Sequence, residues 1–180
     1  MKKAIFIDKD GTLIYDVPYN VNPHLIRFTD GAIAGLKKLT QADFNLYIVS
    51  NQQGIGLGYF AEKDLAAVKQ TLNTMLTKQG ITLNGFYYCP HSKDEHCLCR
   101  KPQPGLLIEA ANEHKLNLRH SWMIGDIAAD IQAGQSAGCK TILFDKGYEN
   151  TWEFMDTNQP DFIVKNLNDA ADIILKEETA

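Results

Sequence analysis

The sequence predicts an α/β protein with a doubly wound parallel sheet and helices on both faces. Short apolar segments of strand length alternate with amphipathic segments of helix length, which is the pattern of repeated strand–helix–strand units. The chain of 180 residues has a hydrophobic content of 44% and carries no repeat or linker rich in proline and glycine. Residues 1–180 are therefore expected to form a single domain with one core.

The predicted strands are short apolar runs that end in polar or small residues. They comprise residues 3–7, 44–49, 86–89, 122–125, 141–144 and 161–164. The predicted helices carry apolar side chains on one face, with Asp30 as an N-cap, Pro104 in a first turn, and Gly80 and Gly138 after a last turn. They comprise residues 31–40, residues 62–79, two segments that follow Pro104 and Asp126, and residues 167–175.

Two connections show neither the helical nor the strand pattern of apolar residues. Residues 14–30 contain prolines and asparagines and are expected to form an ordered loop over the strand ends, a common place for substrate contacts. Residues 146–160 are a poorly patterned connection before the last strand.

Charge and apolar run lengths limit the classes of partner. A net charge of −4 and a pI of about 5.7 argue against nucleic acid or an anionic membrane as the main partner. The first apolar run is too short for a signal peptide, and no segment has the length of a membrane span. We expect a cytoplasmic protein, and a monomer because no apolar helix face is left over.

Asp8 and Asp10 follow the first strand two positions apart. Side chains at this spacing leave an extended chain on the same side, so the two carboxylates can converge on a hard divalent cation such as magnesium, Mg²⁺. A turn in which both side chains only bond local N–H groups is the alternative.

Further polar groups follow other predicted strands. Ser50, Asn51 and Gln52 come at the end of the second strand, before glycines whose G-x-G-x-G spacing differs from the dinucleotide fingerprint. Lys101 comes after the third strand and Asp126 after the fourth, so the sheet gathers these groups at one edge. Carboxylates that hold a cation and donors that hold phosphate oxygens indicate phosphoryl transfer.

A cysteine-rich segment lies before Lys101. Three thiolates and one imidazole within eleven residues fill a tetrahedral zinc, Zn²⁺, shell, which is typical of a structural site. The predicted ligands are Cys89, His91, Cys97 and Cys99. His96 competes with His91, but it adjoins Cys97 and joint chelation would be strained. We expect the zinc to fix the position of Arg100 and Lys101.

These motifs resemble a known superfamily. Asp8-Lys9-Asp10-Gly11-Thr12, Ser50-Asn51-Gln52, Lys101-Pro102 and Gly125-Asp126-x-x-x-Asp130 are similar to the four ordered motifs of the haloacid dehalogenase (HAD) superfamily. The Cys-x-His and Cys-x-Cys-Arg-Lys-Pro elements resemble its small zinc-containing group of heptose bisphosphate and histidinol-phosphate phosphatases. The short intervals between motifs leave no room for a large cap domain.

The resemblance implies a role for each motif residue. Asp8 would be the nucleophile that forms an aspartyl-phosphate, and Asp10 the general acid and base. Magnesium would be held by Asp8, Asp126 and the backbone carbonyl of Asp10. Asp130 would support these ligands without contacting the metal, or bond the nearby loop. Lys9 stands where relatives often have arginine, and its side chain is expected to point away from both aspartates. The predicted substrate-binding residues are Ser50, Asn51, Gln52, Arg100 and Lys101.

The substrate predicted first is D-glycero-D-manno-heptose 1,7-bisphosphate, cleaved at its C7 phosphate, because the compact zinc loop and residues 15–28 resemble the heptose branch of this group. Arg100 could bind a second phosphate, which favours a bisphosphate but does not decide between the branches. Histidinol phosphate is the alternative, since that group shares the Arg-Lys-Pro segment. A phosphatase of nucleic-acid ends and a zinc-ribbon-like binding module are more distant alternatives, and both would need a basic surface.

Overall fold

The computed structural model describes residues 2–147 and 158–179, which contain a sheet of six parallel strands. The strands lie in the order β3-β2-β1-β4-β5-β6, so the central strands come from different parts of the chain. Their bounds are β1 Lys3–Ile7, β2 Phe44–Asn51, β3 Leu83–Cys89, β4 Trp122–Gly125, β5 Lys140–Phe144 and β6 Phe162–Val164. The predicted α/β class and parallel sheet are confirmed.

Five helices cover the two faces of this sheet. They are α1 Ala32–Gln41, α2 Glu62–Lys78, α3 Gly105–His114, α4 Ala128–Ala137 and α5 Leu167–Thr179. The first, second and fifth helices pack on the face of β1 that carries Ile5 and Ile7. The third and fourth pack on the face that carries Ala4 and Phe6. Each face of β1 is therefore buried, which explains its nearly continuous apolar sequence.

The predicted bounds of β1 and β4 agree with the structure, whereas β3 starts earlier than predicted, at Leu83. Its first residues include Asn84 and Gly85, which lack the apolar signal of a strand. Helix α5 runs four residues beyond its predicted end, to Thr179. Most of the predicted connection 146–160 lies outside the described residues.

The start of α1 also differs from the prediction. Its N-cap is Gly31, whose φ of 76° lies in the left-handed region that glycine adopts readily. The carboxylate of Asp30, the predicted N-cap, instead accepts a hydrogen bond from the hydroxyl of Tyr15. Three short 3-10 helices, Pro23–Leu25, Lys93–Glu95 and Leu118–His120, were not predicted.

The connections at the carboxyl ends of β1 and β2, residues 8–31 and 52–61, are loops with room for no folded cap domain. None of the helices in the described ranges has the length and apolarity needed to cross a bilayer.

Candidate active site

A cleft of about 330 Å³ opens at the carboxyl ends of the central strands. Parallel strands end at the same edge, so β1, β2 and β4 bring residues from distant parts of the chain to one place. Predicted site residues that line the cleft are Asp8, Asp10, Asn51, Gln52, Arg100, Lys101 and Asp126.

The ammonium group of Lys101 lies at the base of the cleft, where the residue is only 3% exposed. It lies 2.5 Å from Oδ1 of Asp8 and 2.7 Å from Oδ1 of Asp130. It also donates to the backbone carbonyl of Val49 at 2.9 Å. Three oxygens thus surround this nitrogen, which matches the three donors of a lysine.

Burial and the neighbouring charges both shift the pKa values of Asp8 and Lys101. Burial raises the pKa of Asp8 well above its ordinary value, Lys101 lowers it, and neighbouring carboxylates, Asp130 first, raise it further. Burial alone would lower the pKa of Lys101, but Asp130 and Asp8 outweigh burial and raise it. Lys101 is therefore held as a cation, and it supplies the positive charge next to Asp8.

Asn51 fixes the backbone from which Lys101 extends. Its Nδ2 donates to the carbonyl of Lys101 at 3.1 Å, and its Oδ1 accepts from the Lys101 N–H at 3.0 Å. The side chain that was predicted to bind phosphate is thus bonded to the backbone of the lysine. The peptide bond between Lys101 and Pro102 is cis.

Asp10 is held by two neighbours. Nζ of Lys9 lies 2.6 Å from Oδ1 of Asp10, and Nε2 of Gln52 donates to Oδ2 at 2.9 Å. The prediction that Lys9 points away from both aspartates is wrong. The N–H of Leu13 bonds back to the carbonyl of Asp8, so the chain turns after Ile7. The alternation of side chains in an extended strand therefore does not apply to Lys9.

The hydroxyl of Ser50 is buried next to this pair. Its Oγ accepts a hydrogen bond from Nε2 of Gln52 at 2.7 Å, so its own hydrogen can be donated to a phosphate oxygen. Gln52 therefore connects the acid–base candidate Asp10 to the phosphate-binding candidate Ser50.

Asp126 and Asp130 close the other side of the site. Oδ1 of Asp126 accepts from the hydroxyl of Thr12 at 2.9 Å, and Oδ2 lies 2.6 Å from Nζ of Lys146. Oδ2 of Asp130 accepts from the backbone N–H groups of Asp126 and Ile127. Asp130 thus fixes the turn that presents Asp126.

Two glycines allow the side chains of Asp126 and Asp130 to lie close to the backbone. A side chain at Gly125 would collide with Asp130, which lies over it. Gly11 has a φ of 88°, and a Cβ there would lie 2.5 Å from Oδ2 of Asp126. The sequence analysis missed Lys146 and Thr12 as site residues. Lys146 lies two positions beyond β5, so its place at the same sheet edge was the available signal.

The carboxylates fit a hard divalent cation. Oxygens of Asp8, Asp126 and Asp130 lie within 4.8 Å of one another, and all three residues are buried. Asp130 completes this group in place of the Asp10 side chain, which is bonded to Lys9 and Gln52.

The charges of the site lead to the same conclusion. When ionised, the carboxylates of Asp8, Asp10, Asp126 and Asp130 outnumber by one the ammonium groups that pair with them, from Lys9, Lys101 and Lys146. One Mg²⁺ would change this net charge from negative to positive, which suits a phosphate dianion.

A second group of candidate ligands lies between β3 and Lys101. The Sγ atoms of Cys89 and Cys97 are 3.4 Å apart, and Nδ1 of His91 lies 3.3 Å from Sγ of Cys99. A tetrahedron with zinc bonds of about 2.0–2.3 Å has edges of about 3.3–3.8 Å, so the four atoms fit Zn²⁺. His96 is exposed and is not a member of this group.

The Cys97 thiol also accepts a hydrogen bond from the backbone N–H of Arg100, which lies outside the group. Burial raises the pKa of Cys97, but the backbone N–H of Arg100 and the adjacent thiols lower it to about 7. Arg100 also donates from Nη1 to the carbonyl of His91 at 3.5 Å. This group of candidate zinc ligands is therefore hydrogen-bonded to Arg100, the residue that precedes Lys101.

Fold and site together define a phosphatase built on a parallel α/β sheet. A family model described as HAD-hydrolase-like matches residues 98–170. The D-glycero-beta-D-manno-heptose-1,7-bisphosphate 7-phosphatase of Pasteurella multocida is 36% identical and aligns over 97% of each chain. The chain belongs to the HAD phosphatases, which confirms the resemblance seen in its motifs.

Two further relatives are informative. The histidine biosynthesis bifunctional protein HisB of Legionella pneumophila is 35% identical over 86% of this chain but only 44% of its own length. The crystal structure of D,D-heptose 1,7-bisphosphate phosphatase from B. bronchiseptica, complexed with magnesium and phosphate, superposes with a TM-score of 0.87. It is 28% identical, and the match spans 97% of this chain and 99% of that one.

Proposed function

We propose that this enzyme hydrolyses the C7 phosphate of D-glycero-β-D-manno-heptose 1,7-bisphosphate. The observation that carries the proposal is the match over 97% of both chains to a phosphatase of that name. The match to HisB leaves more than half of that bifunctional protein unaligned. We also propose that residues 1–180 act as one catalytic domain.

In the first step, a carboxylate oxygen of Asp8 attacks phosphorus. A bond forms from Asp8 to phosphorus, the bond from phosphorus to the C7 oxygen breaks, and Asp10 gives its proton to the leaving oxygen. Lys101 stands 2.5 Å from Asp8, where it would bind an oxygen of the transferring group, and Ser50 would donate to another.

In the second step, Asp10 accepts a proton from water, and the water oxygen attacks the aspartyl-phosphate. The bond between Asp8 and phosphorus breaks, and inorganic phosphate leaves. Lys9 and Gln52 each bond to the Asp10 carboxyl group, so its orientation is fixed for both proton transfers.

Two metals fit the described residues. Asp8, Asp126 and the backbone carbonyl of Asp10 would hold Mg²⁺, which reduces the repulsion between a carboxylate and a phosphate dianion. Cys89, His91, Cys97 and Cys99 would hold a structural Zn²⁺. Arg100 would bind the second phosphate of the substrate, since this residue lines the cleft next to Lys101.

The test is to compare kcat/KM for heptose 1,7-bisphosphate and histidinol phosphate in the presence of Mg²⁺. We expect a preference of at least about tenfold for the heptose, with ³¹P NMR showing loss of the C7 phosphate. The Asp8→Asn variant controls for contaminating phosphatases. A preference for histidinol phosphate would overturn the proposed substrate and favour the alternative that HisB suggests.

We infer that the enzyme is a cytoplasmic monomer whose partner is a small phosphorylated metabolite. The net charge of −4 supports this over a nucleic-acid-end phosphatase or a zinc-ribbon-like binding module.

A further inference from the structure

Tyr19 stands at the mouth of the cleft. It belongs to the loop after β1 and lines the cleft together with Asp16 and Asn20, and its residue is 48% exposed. About half of Tyr19 is thus in contact with water beside the candidate phosphate-binding residues, so apolar surface remains available to a ligand.

The backbone at Tyr19 is in an unfavourable conformation. Its φ is 55°, in the left-handed region that residues with bulky side chains rarely adopt. The surrounding loop enforces this value, because the N–H of Asn20 bonds to the Val17 carbonyl and the Asn20 side chain bonds twice to the backbone of Asn22. Strain that the surroundings enforce is typical of functional positions.

The ring of Tyr19 is also held in place. Its hydroxyl accepts a hydrogen bond from Nε2 of Gln53 at 3.2 Å. The ring meets that of Tyr59 edge to face, with centroids 4.8 Å apart and an interplanar angle of 89°. Gln53 and Tyr59 belong to the loop after β2, so Tyr19 joins the two loops that border the cleft.

Tyr15 provides a contrast within the same loop. It is 49% exposed, and its hydroxyl bonds to Asp30 at 3.1 Å. Its backbone is not in the left-handed region, and it is not among the residues that line the cleft. A tyrosine of this loop can therefore be exposed without a strained backbone and without lining the cleft.

We infer that Tyr19 is a specificity-determining residue that packs its ring against the carbon framework of the phosphomonoester. The C–H groups of a sugar suit the negative face of an aromatic ring, and the polar groups of Asp16, Asn20 and Gln53 can bond its hydroxyls. The sugar nature of the ligand rests on the proposed function, whereas the contact with the organic part of the substrate rests on the geometry of Tyr19.

The test uses two substrates and four variants. With its phosphate at Lys101, heptose 1,7-bisphosphate would extend towards the cleft mouth, whereas 2-hydroxyethyl phosphate is a short ester with little carbon framework to contact Tyr19. Tyr19→Asn removes the ring but favours the left-handed backbone, Tyr19→Ala removes the ring alone, Tyr19→Phe keeps it, and Tyr15→Ala is the matched control.

We expect Tyr19→Asn and Tyr19→Ala to lower kcat/KM for the heptose bisphosphate by about tenfold, mainly through KM, with less than a twofold change for 2-hydroxyethyl phosphate. Tyr19→Phe and Tyr15→Ala should stay within about threefold of the wild type on both substrates. Tyr19→Asn should have a higher Tm than Tyr19→Ala, because both variants lose the ring contacts but asparagine adopts the left-handed backbone more readily.

Equal losses on both substrates, or no loss on the larger one, would overturn the role of Tyr19. If the wild-type enzyme does not hydrolyse the heptose bisphosphate, the proposed function fails separately. The same variants are then compared on histidinol phosphate, where a selective loss would uphold the contact and an unselective result would reject it.

Discussion

The ammonium nitrogen of Lys101 lies 2.5 Å from Oδ1 of Asp8, although the two residues are 93 positions apart in the chain. The same nitrogen lies 2.7 Å from Asp130, which in turn bonds to the N–H of Asp126. One buried network therefore connects the candidate nucleophile, the candidate phosphate-binding lysine and a candidate metal ligand. Changes to any of these residues should affect both charge balance and chemistry.

Asp8→Asn should abolish turnover while the fold is kept. The amide is nearly isosteric but cannot act as the nucleophile, so kcat should fall by a factor on the order of 10³ or more. Steady-state phosphate release measures the loss, and circular dichroism checks the fold. An active, folded Asp8→Asn enzyme would rule out Asp8 as the nucleophile.

In the protein without magnesium, the contribution of Asp8 to stability should fall as pH rises above about 4. The pKa of Asp8 is raised from its ordinary value of 3.8 mainly by burial, so the folded state binds this proton more tightly than the unfolded state. Stabilisation from the bound proton is complete below the unfolded pKa and is lost as pH rises through the folded pKa. The window begins near 3.8 and extends upward to the raised value.

Urea unfolding from pH 4 to pH 8 measures this slope for the wild type and for Asp8→Asn in magnesium-free buffer. Asp8→Asn lacks the titrating group, so the stability of this variant relative to the wild type should increase with pH. Parallel curves for the two proteins would contradict the raised pKa.

Lys146→Met should strengthen magnesium binding. Nζ of Lys146 lies 2.6 Å from Oδ2 of Asp126, and its positive charge opposes a cation at that carboxylate. We expect the dissociation constant for Mg²⁺ to fall by about three- to tenfold, measured by calorimetry or by the rise of Tm with Mg²⁺ concentration.

Lys140→Met is the matched control for this variant. Lys140 begins β5, the strand after which Lys146 lies, and it pairs with Glu177 on the surface, so its removal should leave magnesium affinity unchanged. Weaker magnesium binding by Lys146→Met would mean that Lys146 orients Asp126 and does not compete with the ion.

Cys97→Ala should remove zinc and lower stability and activity together. The Cys97 thiol contacts Cys89 and Cys99 and accepts from the N–H of Arg100, so the segment that carries Lys101 would lose its attachment. We expect a loss of about 2–3 kcal/mol, or about 5–10 °C in Tm. Metal analysis and calorimetry measure the two effects.

Cys139→Ala serves as the control, because Cys139 is buried outside the cluster and should have no effect on zinc content. A Cys97→Ala protein with wild-type Tm and no zinc would refute the structural role of the metal.

Sequence patterns located the strands and the residues at their ends, because apolar runs and polar strand ends are local signals. The bounds of β1 and β4 and the positions of Asp8 and Asp126 followed from these signals. The direction of the Lys9 side chain did not, because it depends on the turn that returns Leu13 to the Asp8 carbonyl. Lys146 was missed because β5 ends without a motif, and its contact with Asp126 depends on strand order.

The excess of one negative charge among the paired carboxylates and ammonium groups has a kinetic consequence. A phosphate dianion that approaches the cleft before magnesium is repelled, whereas one that arrives afterwards is attracted. We therefore expect binding to be ordered, with the metal first. Inorganic phosphate should inhibit the enzyme only as a competitor in the magnesium-loaded form.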